Sequence, residues 1–279
     1  MHRSSARGGE IVLLFLVFLL AAINLYPIYQ MIMVSFLPYT KLLSAPALGL
    51  PHGPTLANFR EVLGRGPLPR FFLNSLIVAT GTMLISTGLA VFGGYSLARL
   101  QYPGKALIDK TILFVYVIPP VLLVVPIYVM IVRLHLNNTY TSIILAHTLF
   151  AVPFGTWLLR GFFLSTPIDV EDSSQVDGAG RFTTLFRIVL PMAAPGVAAV
   201  ALFAFVGSWD EFLFASIFLS SDDRYTLPIG IYGLVTSYGE TNWGNLLAAS
   251  TIATLPMFVV FLLLQRWLVQ GLSAGAVKA

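Results

Sequence analysis

Long apolar stretches separated by short polar segments are the main pattern of this chain. Six stretches hold few or no charged side chains, and they cover residues 11–36, 71–98, 111–132, 140–159, 191–219 and 246–265. A helix needs about 20 predominantly apolar residues to cross a bilayer. The pattern therefore predicts an all-α membrane protein with six transmembrane helices in a single domain over residues 1–279.

Two regions depart from this pattern. The fifth stretch contains the adjacent carboxylates Asp210 and Glu211, and ionised side chains are costly inside a bilayer. Residues 225–235 are apolar, but they are too few to cross and are interrupted by proline and glycine. We therefore predict a re-entrant or interfacial segment at residues 225–235 and not a further span.

The first apolar stretch follows Arg3 and Arg7, as the apolar core of a signal peptide follows basic residues. It continues past Ala21 and Ala22 to Phe36 without a small-residue cleavage site. We therefore expect this stretch to remain in the protein as a membrane anchor.

Basic residues are unevenly distributed between the two sides that the predicted spans define. Placing the N-terminus inside assigns ten of the 16 to the cytoplasm: Arg3, Arg7, Arg99, Lys105, Lys110, Arg160, Arg181, Arg187, Arg266 and Lys278. Of the six left outside, four lie in the long first outer loop: Lys41, Arg60, Arg65 and Arg70. Basic residues concentrate in cytoplasmic loops, and long loops are weaker indicators than short ones. Both termini are therefore predicted to be cytoplasmic.

Composition narrows the class of protein. Apolar residues make up 57% of the chain and charged residues 10%, which excludes a soluble domain. The excess of basic residues on the predicted cytoplasmic side accounts for the net charge of +4. The charge therefore reflects orientation in a membrane, and we expect membrane lipid around the chain and no nucleic-acid partner. Cysteine is absent, so the sequence says nothing about disulfides or the redox compartment.

A polar segment interrupts the apolar pattern between the fourth and fifth stretches. Pro167 suits a first helical turn, and the acidic residues after it suit the positive end of a helix dipole: Asp169, Glu171 and Asp172. Gly178 can adopt the left-handed conformation that ends a helix. Phe182, Leu185 and Phe186 then form the apolar face of a second short helix. We predict a compact projection, with an ordinary connecting loop as the alternative.

The spacing within this segment resembles the cytoplasmic EAA loop of ABC-importer permeases. In that family the loop reads E-A-A, two residues, D-G-A, and a proline thirteen positions after the glycine, which is the distance from Gly178 to Pro191 here. Asp172-Ser173-Ser174 stands in place of the first triplet, keeping a carboxylate and small side chains but adding two hydroxyls. The resemblance implies a coupling loop over residues 165–190 that docks on a separate ATPase through Glu171, Asp172, Ser173, Ser174, Asp177, Gly178, Ala179, Phe182, Phe186 and Pro191.

Further motifs are similar to those of carbohydrate-type, maltose-transporter-like permeases. They are Asn74-Ser75-Leu76, Gly94-Tyr95-Ser96-Leu97-Ala98-Arg99, Tyr102-Pro103-Gly104, Arg160-Gly161-Phe162-Phe163 and Trp209-Asp210-Glu211-Phe212-Leu213. The resemblance implies a type I ABC-importer permease fold in the inner membrane, through which a sugar or oligosaccharide enters the cytoplasm. The implied partners are a second homologous permease in a heterodimer, a homodimeric ABC ATPase that binds ATP and Mg, and an extracytoplasmic substrate-binding protein.

The segment Trp209-Asp210-Glu211-Phe212 is the candidate pathway or gate, because its carboxylates interrupt an apolar stretch. The alternative is an interfacial anchor, in which the aromatic residues sit at the membrane surface and the carboxylates reach water. His147 has no second ligand at metal-binding spacing on its predicted helix, so we expect a hydrogen-bonded packing residue and no metal site.

Small side chains recur every four residues in the second stretch, at Ser86, Ala90, Gly94 and Ala98. Such a stripe lets another helix approach closely, either within the bundle or from a partner permease. A lipid-facing stripe is the alternative.

Residues 220–245 form the last outer loop, which contains the polar residues Asp222, Asp223, Arg224, Tyr238 and Glu240. The resemblance implies contact between this loop and the substrate-binding protein. A solvated connector is the alternative.

The chain lacks a phosphate-binding loop of the form G-x-x-x-x-G-K-[ST], because Gly104-Lys105 has neither the upstream glycine nor the following hydroxyl. No Ser/His/Asp arrangement suggests an enzyme. We therefore expect a non-catalytic subunit, without a cofactor of its own, that depends on a separate ATPase. The alternative function is a self-sufficient secondary carrier of a small polar solute, but such carriers usually show internal repeats, and the two halves here show no convincing repeat.

Overall fold

The computed structural model describes residues 2–38, 41, 53–64, 66–236 and 242–276. Within these ranges the regular structure is helical and contains no strand. Arg65, Tyr238, Glu240 and Lys278, which we place in loops or at the C-terminus, lie outside the described residues. The helices are α1 His2–Ser35, α2 Ala57–Gly64, α3 Leu68–Arg99, α4 Lys105–Val117, α5 Pro120–Arg133, α6 Tyr140–Ser165, α7 Ile168–Val176, α8 Arg181–Thr184, α9 Leu190–Met192, α10 Ala194–Trp209, α11 Leu213–Phe218, α12 Leu227–Thr236 and α13 Trp243–Ala276.

Four helical segments in the described part of the chain are long and apolar enough to cross a membrane unbroken. They are Glu10–Ser35, Leu68–Arg99, Tyr140–Ser165 and Trp243–Trp267. Two bent pairs also qualify by length and composition: Lys105–Val117 with Pro120–Arg133, and Arg181–Met192 with Ala194–Trp209. Counting each bent pair as one span gives the predicted six.

The third predicted span, residues 111–132, consists of a bent pair of helices and not of one continuous helix. The chain bends by 104° between α4 and α5. Ile118 and Pro119 are extended, with ψ angles of 122° and 126°. A residue that precedes proline is disfavoured in the helical conformation, and a proline at the first helical position is compatible with a new helix. The Pro119-Pro120 pair therefore separates two helices and does not merely kink one.

The fifth predicted span, residues 191–219, is also divided. Helix α10 ends at Trp209, and α11 begins only at Leu213. Asp210 and Glu211 consequently lie in a break between helices and not inside a continuous span. Residues 225–235, predicted not to cross, contribute to the ten-residue helix α12, which is too short for a span.

The chain divides into two compact units. The first comprises Met1–Pro69 and Ile231–Leu255, and the second comprises Arg70–Gly230 and Pro256–Ala279. In the first unit, the buried side-chain amide of Asn58 donates to the carbonyls of Ser35 and Leu37, each at 2.9 Å. This pair of hydrogen bonds fastens α2 to the end of α1. The prediction of a single functional domain stays a prediction.

The second unit has two apolar clusters that position the candidate sites. One joins α3, α5, α6 and α11, and its buried residues include Val78, Ile143 and Phe218. The other joins α3 and α6 to the segment that leads into α10, and it includes Leu159, Phe163 and Val189. Because lipid tails are as apolar as these side chains, close van der Waals packing between the helices is what stabilises both clusters in a membrane.

The predicted small-residue stripe on α3 packs against α6. Ser86 and Ala90 are completely buried. A Cβ atom added to Gly94 would lie 3.0 Å from the Cβ of Leu159, and one added to Gly155 would lie 2.9 Å from the Cβ of Ala90. Packing within the bundle is therefore confirmed for this stripe, because the helix backbones approach too closely for larger side chains.

Candidate coupling segment and transport cavity

The segment that resembles a coupling loop has the predicted helix, reversal and second helix. Helix α7 begins directly after Pro167, and Asp169 and Glu171 occupy its first turn. Carboxylates at this end are stabilised by the helix dipole. The start of the predicted helix is confirmed.

Gly178 reverses the chain after α7. Its φ angle is +84°, in the left-handed region. The N–H of Ala179 donates to the carbonyl of Ser174 at 2.9 Å, and the N–H of Gly178 donates to the carbonyl of Gln175 at 3.0 Å. These bonds form a Schellman motif, in which a left-handed glycine satisfies the last carbonyls of a helix. The predicted reversal at Gly178 is confirmed.

Glu171 does not face outward with its neighbours but is buried, with 3% of its surface exposed. Its Oε1 accepts from Nε of Arg99 at 2.5 Å, and its Oε2 accepts from the hydroxyl of Tyr95 at 3.0 Å. Arg99 also donates from Nη2 to the carbonyl of Thr166 at 2.7 Å. The coupling segment is thereby tied to the last turns of α3.

This ion pair was not predicted, because Glu171 is one of several carboxylates at a helix start in the sequence. One sequence pattern could have indicated a buried acceptor near the end of α3. Tyr95 and Arg99 are four residues apart and share one face of α3, so they offer two donors to a single acceptor.

The hydroxyls that replace the family's alanines have partners inside the segment. Ser173 Oγ donates to the carbonyl of Asp169 at 2.7 Å. Ser174 is buried, and its Oγ lies 2.8 Å from Oγ1 of Thr184 on α8. Ser174 therefore joins the two arms of the projection across the reversal at Gly178.

The remaining predicted coupling residues are largely exposed. Asp172, Ser173, Asp177, Gly178, Phe182, Phe186 and Pro191 are exposed, whereas Ala179 is half-buried. Phe182 is 72% exposed and the neighbouring Val176 is 88% exposed. Exposed apolar side chains grouped on a polar segment are typical of a protein-binding surface.

A cavity of about 530 Å³ lies in the second unit, and we name it the His147 cavity. Its wall includes the aromatic residues Tyr116, Phe150, Phe203 and Phe214. Ligand sites commonly have volumes of about 300–1,000 Å³ and a mostly apolar lining with a few polar groups. The cavity has the size and character of a small-solute site.

A chain of polar side chains forms one side of the His147 cavity. Nδ1 of His147 lies 2.7 Å from Oγ of Ser208, which lies 3.2 Å from Oγ1 of Thr82. Nε2 of His147 lies 3.1 Å from Oε2 of Glu211. A carboxylate only accepts hydrogen bonds, so Nε2 must bear the proton in this contact. The predicted hydrogen bonding of His147 is confirmed, and the side chain also lines the cavity.

Glu211 is fixed by the start of α11 as well as by His147. Its Oε1 accepts from the N–H of Phe214 at 2.8 Å, and its Oε2 accepts from the N–H of Ala215 at 3.2 Å. These are otherwise unpaired donors of a helix terminus. The carboxylate is therefore held in one position at the cavity wall.

The structure separates the four predicted pathway residues. Glu211 lines the His147 cavity, whereas Asp210 is exposed and is not among the described lining residues. Trp209 is buried and stacks on Phe205 with ring centroids 5.8 Å apart. Phe212 is 38% exposed. The break after Trp209 leaves Glu211 at the cavity wall and Asp210 exposed outside the lining. Within the described residues, no three His, Cys, Asp or Glu side chains group as a metal site would require.

Residues 86–274 match the family described as the inner membrane component of binding-protein-dependent transport systems. The trehalose/maltose transport permease MalG of Thermococcus litoralis is 33% identical, with 93% of this chain and 94% of that protein covered. The sulfoquinovosyl glycerol transport permease SmoH of Agrobacterium fabrum is 35% identical, with 91% and 89% covered. A bacterial ABC transporter that imports the polysaccharide alginate has a similar chain, with a TM-score of 0.81 at 18% identity and coverage of 95% and 98%.

The chain therefore belongs to the family of inner-membrane components of binding-protein-dependent transport systems. The predicted ABC-importer permease fold is confirmed by the structural likeness. Membership in a family of permease components does not favour the alternative of a self-sufficient secondary carrier.

Proposed function

We propose that this chain is the non-catalytic permease subunit of an ATP-driven importer for a sugar or oligosaccharide. The observation that carries the proposal is the coupling segment, in which a Schellman turn at Gly178 presents Phe182 beside a helix anchored to α3. Two relatives with different carbohydrate substrates support the substrate class.

The proposed complex has partners on both sides of the membrane. A homodimeric ABC ATPase binds ATP and Mg, because this chain has no phosphate-binding loop. A second, homologous permease completes a heterodimer, and an extracytoplasmic protein delivers the substrate. The family's dependence on binding proteins supports the last of these partners.

In the proposed orientation, both termini and the coupling segment are cytoplasmic, as the distribution of basic residues predicts. The loop after α11 is then extracytoplasmic and contacts the binding protein. Asn138 holds the start of this loop, since its Oδ1 accepts from the N–H of Ser220 at 3.1 Å and of Ser221 at 3.2 Å. Arg224 also donates to the carbonyl of Asn138.

The contacts suggest how movement of the coupling segment reaches the His147 cavity. Glu171 connects α7 to α3 through Arg99. Leu185 and Val189 are buried in the cluster that continues into α10. Helix α10 has 16 residues, a length of about 24 Å. Its far end bears Ser208 at the cavity wall, so a tilt imposed at the coupling segment would move the cavity.

Reconstituted transport tests this function. We expect substrate uptake into proteoliposomes only when the chain is assembled with its partner permease, ATPase and binding protein, with ATP on the ATPase side. The chain alone, given a proton or sodium gradient, should show background uptake. Uptake driven by an ion gradient without ATPase would contradict the proposal and favour a secondary carrier.

The carboxylate of Glu211 is expected to matter more for transport than that of Asp210. Glu211→Gln keeps the side-chain shape but weakens hydrogen bonds to a charged group, each of which contributes about 1.5–3 kcal/mol. We expect about tenfold slower uptake by assembled complexes. Asp210→Asn is the matched control and should remain close to wild type, because Asp210 is exposed and does not line the cavity. The reverse order of effects would return the pathway role to Asp210.

A further inference from the structure

A second polar pocket lies apart from the His147 cavity and the coupling segment. Its volume is about 430 Å³, and it is formed by the loop after α3, the start of α4 and the end of α6. The side chains that matter here are Tyr102, Lys105, Asp109 and Arg160. We call it the Lys105 pocket, and none of its lining residues belongs to the proposed transport machinery.

The Lys105 pocket has more hydrogen-bond donors than the described residues use. Lys105 Nζ donates to the carbonyl of Leu100 at 2.9 Å, although an ammonium has three N–H groups. Nε of Arg160 lies 3.3 Å from Oδ1 of Asp109 but makes no hydrogen bond, and a guanidinium has five N–H groups. The hydroxyl of Tyr102 accepts from Ser96 at 3.4 Å and keeps its own proton to donate.

This set of groups fits an anion that only accepts hydrogen bonds. Two cationic side chains face one carboxylate, so the pocket retains a positive charge. Both cationic groups are partly exposed, and the side chain of Arg160 is 31% exposed. Lysine and arginine form strong, charge-assisted hydrogen bonds with phosphate oxygens. A phosphate group has the negative charge and the acceptor oxygens that match this set of donors.

The surface beside the pocket indicates that the phosphate belongs to a lipid. Leu107 and Phe114 on α4 are each 70% exposed, and they are seven residues apart on one helix face. Ile108 adds a further exposed apolar side chain. Leu107 and Phe114 lie on the side of α4 away from Lys105, because two residues turn a helix by about 200°, whereas Ile108 adjoins the pocket side. Lipid can therefore surround α4, and a head group at Lys105 would place its acyl chains beside Ile108.

We infer that the Lys105 pocket binds the head group of an anionic phospholipid in the cytoplasmic leaflet. The inference rests on the proposed orientation, which places the end of α3 and the start of α4 on the cytoplasmic side. Basic pockets between transmembrane helices on that side bind acidic head groups. The lipid would bridge α4 and α6, which are also joined by the contact between Asp109 and Arg160.

Native mass spectrometry of the purified full chain tests this inference. Phosphatidylglycerol and phosphatidylcholine with identical acyl chains are titrated onto the wild type, Lys105→Gln, Arg160→Gln and Tyr102→Phe. Lys110→Gln is the matched control, because Lys110 is an exposed cation of α4 outside the pocket. Thermal unfolding checks that each variant is folded, and Tyr102→Phe removes only one hydroxyl if a charge variant fails to fold.

We expect the wild type to prefer phosphatidylglycerol and each charge variant to bind it about fivefold more weakly. Lys110→Gln should bind as the wild type does, and Tyr102→Phe should bind more weakly. Equal binding of the two lipids, or a preference that no pocket variant reduces, would overturn the inference. So would displacement of the lipid by equimolar inorganic phosphate, which would identify a free anion as the ligand. Binding is measured without transport, so its failure would leave the proposed transport function unaffected.

Discussion

Gly178→Val is expected to reduce substrate-stimulated ATP hydrolysis and uptake to background. The φ angle of Gly178 is +84°, a conformation that a β-branched residue adopts only with strain. Forcing valine into it costs about 1–3 kcal/mol, and the chain would relieve that strain by opening the Schellman turn. The exposed face at Phe182 would then lose its position relative to α7.

Gly180→Val is the matched control for this variant. Gly180 lies two residues further along, with φ at −71° and ψ at 159°, a conformation that valine adopts readily. A Cβ atom added at either glycine meets no other atom within 4 Å. The two variants therefore add the same side chain and differ in backbone strain alone.

Uptake, ATP hydrolysis and co-purification of the ATPase are measured for both variants. We expect Gly180→Val to resemble the wild type, and Gly178→Asn to be intermediate because asparagine tolerates the left-handed region. Wild-type coupling in Gly178→Val would show that residues 165–190 are not the coupling element.

Glu171→Gln is expected to cause the largest loss of stability. The side chains of Glu171 and Arg99 are 4% and 10% exposed. Removing one charge of a buried pair leaves the other without compensation, which costs about 3–5 kcal/mol. We expect a clearly lower thermal midpoint for the solubilised chain and weaker association with the ATPase, because α7 would no longer be held against α3.

Asp172→Asn serves as the control for Glu171→Gln. It makes the same chemical change at the adjacent residue, but Asp172 is exposed, and surface substitutions usually change stability by about 0.5 kcal/mol or less. The combined replacement of Arg99 by Met and Glu171 by Leu should recover much of the lost stability, since apolar residues often substitute for a buried ion pair without loss. If Asp172→Asn destabilises the chain as much as Glu171→Gln does, burial of the ion pair is not the cause.

The double replacement also separates two roles of the ion pair. If the pair only stabilises the fold, the stabilised double variant should transport at the wild-type rate. If the pair transmits movement, uptake should stay low although the complex assembles. We expect low uptake, because the bonds of Glu171 to Arg99 and Tyr95 fix the direction in which α7 can pull on α3.

The features that sequence reasoning predicted correctly depend on residues near one another in the chain. The turn at Gly178 needs only a glycine at the end of α7 and carbonyls within the preceding turn. The unbroken spans follow from the length of their apolar stretches, since backbone groups in lipid must be paired within the helix. The breaks at Pro119 and after Trp209 coincide with a proline pair and a carboxylate pair, but both stretches were predicted as continuous spans.

The sequence by itself determined the class of protein, the number of apolar stretches and the helix and turn of the candidate coupling segment, because hydropathy and turn chemistry act over a few residues. Only the tertiary structure decided that Glu171 is buried against Arg99, which is 72 residues away. It also decided that Glu211, and not Asp210, faces the His147 cavity. Both outcomes depend on which donors surround a carboxylate in three dimensions. Adjacent carboxylates have the same local sequence pattern, so the sequence does not show which of the two will meet those donors.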